Sequence, residues 1–151
     1  MKKIRLVFLA AFLLFLDVAT MPNVCAKPDY YVRYDINMLN VVQTETEFFS
    51  SYTKLIYSIE KNYTLNEEDI EKIINNYFSD CVWVSEIDNI FTEKKLVLRN
   101  SHIISVLDKH NNEISFPKEI TSSDFTKRQD KLYWYEITIN INVDYELESL
   151  E

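Results

Sequence analysis

The stretch LYWYEITININVDYEL, residues 132–147, decides the fold. Tyr133, Tyr135, Ile137, Ile139, Ile141, Val143, Tyr145 and Leu147 stand on one parity, and Glu136, Thr138, Asn140, Asn142, Asp144 and Glu146 on the other. Successive side chains of a strand point to opposite faces, so this alternation describes a strand with one dry and one wet face. At about 3.4 Å per residue it reaches roughly 50 Å, well past the usual five or six residues, and it must bend or bulge around a core supplied by the rest of the chain.

Moving upstream, residues 122–130 read as a polar connection and 114–120 as a strand in which Pro117 marks an edge or bulge. Cys81 to Ser85 is the first strong strand, Glu86 to Asn89 a turn, and Ile90-Phe91 the start of a return strand. Thr92-Glu93-Lys94-Lys95 opens a short third helix through Leu98, although Leu96 and Leu98 suit a strand equally. Residues 101–107 are apolar enough to be buried in either state. The chain has no glycine, where roughly ten would be ordinary, so its turns fall to Asp88-Asn89 and Asn111-Asn112.

Two helices are predicted before the strands. Met38, Val41, Val42, Glu45, Phe48, Phe49, Tyr52, Leu55, Ile56 and Ile59 fall at helical spacing, with Thr44, Glu47, Ser51 and Lys54 opposite them. Thr64-Leu65-Asn66-Glu67 opens a second helix, whose acidic first turn faces the positive end of the helix dipole and whose stripe is Ile70, Ile73, Ile74, Tyr77 and Phe78. Residues 27–36 form a short strand or an ordered lead-in. The expected class is therefore α+β: a curved antiparallel sheet packed against two or three N-terminal helices.

Residues 1–26 read as a signal peptide. Lys2, Lys3 and Arg5 precede an apolar run from Leu6 to Leu16, and Val24-Cys25-Ala26 offers a cleavage site after Ala26. Eleven apolar residues fall short of the roughly 20 that a spanning helix needs, so no membrane segment is expected after cleavage. Residues 27–151 then make one domain, secreted or periplasmic according to host. The whole chain carries a net charge of −8, and losing three cations with one acid makes the remainder more acidic still. A nucleic-acid partner is not expected from that balance.

Chemistry is constrained by what the chain lacks. Without glycine there is no phosphate-cradling loop, dinucleotide fingerprint or nucleophile elbow. His102 and His110 are the only histidines and Cys81 the only cysteine of the cleaved chain, so neither a metal site nor a nucleophile triad is expected, and no cofactor is called for. Cys81 lies in an apolar strand and reads as a buried thiol. Glu67-Glu68-Asp69-Ile70-Glu71 reads as a helix start, lacking calcium-loop spacing. Asn62-Tyr63-Thr64 is a glycosylation sequon between the two helical patterns, available in a eukaryotic host. Phe48, Tyr52, Trp83, Trp134 and Tyr135 either pack the core or line an apolar ligand pocket.

Asp69-Ile70-Glu71-Lys72-Ile73-Ile74 running into Phe78-Ser79-Asp80-Cys81-Val82-Trp83-Val84, a turn, and Phe91-Thr92-Glu93-Lys94 resembles the NTF2-like superfamily, whose cone-shaped folds include ketosteroid isomerase-like proteins. The resemblance implies a cone of curved sheet closed by helices. It also implies that Glu86, after the first strong strand, matches the position of a general base, and that Tyr52 or Tyr57 on the first helix matches the tyrosine that polarises a carbonyl. The glycine common before the third helix is missing. The reading that follows is a secreted, non-enzymatic domain binding a small apolar ligand or a protein partner, with a homodimer through the sheet as one arrangement. A cofactor-free isomerase or cyclase using Glu86 is the alternative, and a cystatin-like inhibitor a further one, although its Gln-x-Val-x-Gly loop is absent.

Overall fold

The computed structural model describes residues 28–129 and 131–150. The predicted signal peptide, with Cys25 and the cleavage site, lies outside the described residues. The observed elements are β1 (Asp29–Met38), β2 (Glu47–Ser51), β3 (Ile56–Ile59), β4 (Tyr63–Leu65), α1 (Glu67–Ser79), β5 (Cys81–Ile87), β6 (Ile90–Asp108), β7 (Lys118–Ile120), a short 3-10 turn (Ser122–Asp124), β8 (Thr126–Lys127) and β9 (Leu132–Ser149).

The α+β expectation with two or three N-terminal helices is overturned: one α-helix is present among the described residues, and strands make up most of the rest. Where a long helix was predicted from Met38 to Ile59, the chain ends β1, turns, and forms β2 and β3. Phe48, Phe49, Ile56 and Tyr57 are aromatic or β-branched and suit a pleated surface, and sheet neighbours hold them there against the helical spacing. The third helix from Thr92 is also strand, within β6. The second helix is observed, with Asn66 as N-cap and Ile70, Ile73, Ile74 and Phe78 buried. Of the elements on which the family resemblance rests, α1 and β5 stand in the stated order, and the flanking helices do not.

The main sheet runs β2-β5-β6-β9-β1-β3, with β8 on β9. It is mixed, which corrects the antiparallel expectation: β1 and β9 pair in parallel from Asp29↔Leu132 to Met38↔Ile141. This pairing puts Val32, Tyr34, Ile36 and Met38 beside Tyr135, Ile137, Ile139 and Ile141 on the dry face. The parity of residues 132–147 holds as read: Tyr135, Ile137, Ile139, Ile141 and Val143 are buried.

Connectivity forces the sheet to curl. Strands β2 and β3 are its two edges, yet only residues 52–55 join them. Six strands laid flat would set the outer two about 24 Å apart. The five Cα steps from Ser51 to Ile56 reach at most roughly 18 Å. Two bulges in β6, between Leu98 and Asn100 and between Ile103 and Ser105, help the bend. Helix α1 lies in the resulting trough, its Ile70, Ile73, Ile74 and Phe78 joining Val32, Tyr34, Leu96, Ile139 and Ile141 in one core. The link between the edges is tied to the end of this helix, where the Ser51 and Thr53 hydroxyls donate to the Asp80 carboxylate, Thr53 at 2.6 Å. Beside the helix, Tyr63–Leu65 and Lys118–Ile120 form a two-stranded ladder that buries Leu65 and Ile120.

Candidate functional site

The most unusual surface lies at the tip of the β5–β6 hairpin. Its turn is Asp88-Asn89 with φ of 52° and 62°, a left-handed pair that matches the twist of the flanking strands and that aspartate and asparagine tolerate without glycine. Ile87 pairs with Ile90 and Glu86 with Phe91. The last rungs of the neighbouring strands are Glu47↔Ser85 and Lys94↔Ser149, so among the described residues the tip projects beyond both as a two-stranded ribbon. Ile87 and Ile90 are each 68% exposed and Phe91 is 62% exposed. Between Ser85 and Glu93 the charged side chains are Glu86, Asp88 and Glu93, all acidic. Ile87 and Ile90 lie on one face of the ribbon and Phe91, beside Glu86, on the other, so the tip exposes apolar groups on both sides with carboxylates around them.

Glu86 occupies the outer face of this ribbon. Cys81 packs in the core and Trp83 opposes the inward Lys94, so Glu86 has the opposite parity, beside Phe91. Its backbone N–H donates to the Thr46 carbonyl at 2.8 Å, which holds the strand but directs nothing at the carboxylate. Tyr52 and Tyr57 lie on no helix. Tyr52 is 74% exposed in the link between the sheet edges, and Tyr57 sits on β3 opposite Val32, on the dry face. Glu86 is not brought together with either tyrosine.

Tyr57 has a structural partner. Its hydroxyl donates to Asp69 Oδ1 at 2.9 Å, the Tyr63 hydroxyl donates to the same oxygen at 2.7 Å, and the Asn66 backbone N–H donates to Oδ2 at 2.8 Å. Asp69 is 4% exposed. Desolvation pushes its carboxyl upward, and the hydrogen bonds from Asn66, Tyr63 and Tyr57 outweigh that and hold it below the usual 3.8. The tyrosines move the other way: the bond to Asp69 raises Tyr63 most, while burial leads for Tyr57. Three donors on one buried carboxylate cap α1 and pin β3 and β4 to it.

The five aromatic residues read as possible pocket lining do not share a cavity. Tyr135 is buried on the dry face, and Trp83 lies on the same side at the open end, with the Lys94 ammonium 5.5 Å from its ring centroid. Phe48 opposes Val84 on the outer face, whereas its neighbour Phe49 turns inward and meets Tyr145 edge-on at 5.3 Å. Trp134 is on the wet face between Arg33 and Arg128. Cys81 is fully buried, and burial followed by the nearby Asp80 charge pushes its thiol up to about 12. Asn62 is exposed between β3 and β4.

A cleft of about 540 Å³ runs between α1 and β6 and is lined by Glu67, Glu71, Asn75, His102 and Phe116 among others. It is open and mostly polar. Among the described residues no group of three or more acidic, histidine or cysteine side chains is placed to hold a metal ion. No described helix is long and apolar enough to cross a membrane.

The sequence predicts a turn over 86–89 with Ile90-Phe91 opening the return strand, whereas β5 runs on to Ile87, the turn is Asp88-Asn89 alone, and Ile87, Ile90 and Phe91 are left exposed. The available signal was an Asp-Asn turn flanked on both sides by isoleucine. In comparisons with protein families, with curated proteins and with solved structures, nothing matched the chain.

Proposed function

We propose that this chain is an exported, non-catalytic binding domain that grips a protein partner with the tip of the β5–β6 hairpin. The observation that carries the reading is the exposure of Ile87, Ile90 and Phe91 at a projecting turn. Exposed apolar side chains on a rigid hairpin can insert into a partner's pockets and act as the few residues that anchor a specific contact. The rim of Glu86, Asp88 and Glu93 selects the partner: an apolar pocket edged by lysine or arginine. An anionic membrane suits the acidic rim poorly. Separation of Glu86 from Tyr52 and Tyr57 favours binding over acid-base catalysis, as does the dispersal of the aromatic residues over a small apolar ligand.

The test is photo-crosslinking in the cells that express the protein, with the reactive group at position 90 and, as control, at the exposed Asn112 on another turn. A protein adduct is expected from position 90 and not from 112. The purified partner should then bind the intact chain, and the double variant Ile90→Ser, Phe91→Ser should weaken binding at least about tenfold at unchanged melting temperature. Equal crosslinking from both positions, or binding indifferent to the double variant, overturns the reading.

A further inference from the structure

A second surface, on the outer face of the sheet, gathers positive charge on a chain whose net charge is −8. A cleft of about 500 Å³ is lined by Arg33, Lys127, Arg128, Gln129, Leu132 and Trp134. Two of the three cations are held rigidly. The Arg33 guanidinium lies 5.1 Å and that of Arg128 5.5 Å from the Trp134 ring centroid. Both meet Glu136 Oε1, Arg128 by a 2.6 Å hydrogen bond and Arg33 at 3.6 Å. The parallel register of β1 on β9 creates the arrangement, since it sets Tyr31 beside Trp134 and Arg33 beside Glu136 on the wet face.

Cation–π contact and a shared carboxylate remove much of the side-chain freedom that an arginine otherwise loses on binding. Both arginine side chains stay more than 40% exposed. A guanidinium carries five N–H donors in a fixed fork, so each retains several for a ligand. The two guanidiniums outnumber Glu136, the one carboxylate they meet, and Lys127 also lines the cleft, while Asp35 lies in the adjoining cleft that Arg33 shares; the balance here is positive and suits an anionic group such as a phosphate.

We infer that the Arg33–Trp134–Arg128 cleft binds a phosphomonoester. The guanidiniums clasp the phosphate oxygens, and Leu132 with the Trp134 edge packs against the esterified carbon. This site lies on strands other than the hairpin and stands independently of the protein-partner reading.

The chain reports on the site itself. It has two tryptophans, so Trp83→Phe leaves Trp134 as the sole tryptophan, whose emission is read by exciting beyond the tyrosine band. In that background, at constant ionic strength, inorganic phosphate and glycerol 3-phosphate should shift the emission saturably, whereas chloride should not. Arg33→Gln with Arg128→Gln should weaken binding more than about tenfold, with circular dichroism verifying the fold. Glu136→Gln, which frees both guanidiniums, should tighten it severalfold, a gain that simple loss of structure would not produce. Vesicles of phosphatidylcholine with phosphatidic acid form a parallel arm: response to free phosphates assigns a soluble ligand, and response to the vesicles alone assigns a lipid headgroup. The absence of a saturable shift in both arms, or a shift that survives the double arginine variant, overturns the inference.

Discussion

Asp69 shows how one residue can tie distant parts of the chain together. Its oxygens receive the Asn66 N–H and the hydroxyls of Tyr57 and Tyr63, so a single carboxylate caps α1 and holds β3 and β4. Asp69→Ala leaves two tyrosine hydroxyls and a cap N–H without their acceptor, and should cost about 2–4 kcal/mol in urea unfolding at neutral pH. The pH dependence follows from the direction of the shift. The folded carboxyl titrates below 3.8, so its contribution is complete above that value and is lost as pH falls through the folded value. Asp80, held low by the Ser51 and Thr53 hydroxyls against its own desolvation, acts in the same sense. Asp69→Asn should therefore flatten the decline of stability between pH 4 and pH 2, read as the urea midpoint at each pH. An unaltered decline would remove Asp69 from this role.

Among the elements, β9 and β6 are partners of similar length, and only β9 was legible in the sequence. Its parity runs unbroken, so its dry face reads directly. Strand β6 faces the same core with Leu96 and Leu98, then Ser101 and Ile103, then Val106, opposite Leu147, Tyr145, Val143, Ile141 and Ile139. Each bulge inserts one residue and flips the parity, so the apolar positions alternate in three short phases that resemble helix or strand equally. Arg99 and Ile104 are the inserted residues; Arg99 pairs at the surface with Glu146, and Ile104 is 46% exposed. Deleting Arg99 makes Leu98 and Asn100 consecutive rungs opposite Tyr145 and Asp144, so Ser101 and Ile103 should stay on the dry face and the variant should still melt cooperatively by circular dichroism, as should Arg99→Ala. Loss of cooperative melting on deleting Arg99 would mean that Arg99 is not the inserted residue of the bulge. Helix α1 was legible for the opposite reason: cap, acidic first turn and apolar stripe all agree. The segment from Met38 to Ile59 carries a helical spacing that its sheet partners override, because β2 and β3 find their ladders in β5 and β1, far off in sequence. The candidate sites were hidden similarly, since Arg33 and Arg128 meet over Trp134 only through the parallel register.

For the whole molecule, the decisive property is that a mixed sheet closes around one helix, with β1 docked in parallel on the longest alternating strand. The curl brings the sheet edges within reach of the four-residue link, and the outer face carries the arginine cleft while the hairpin projects from one end. An isotope-edited NOESY spectrum of the chain tests this most directly. The account predicts interstrand backbone contacts in the parallel register, Val32 with Tyr135 and Ile36 with Ile139, and extended-chain connectivities across 47–51 and 56–59. A continuous ladder of sequential amide contacts from residue 41 to residue 59, the signature of a helix, would contradict it.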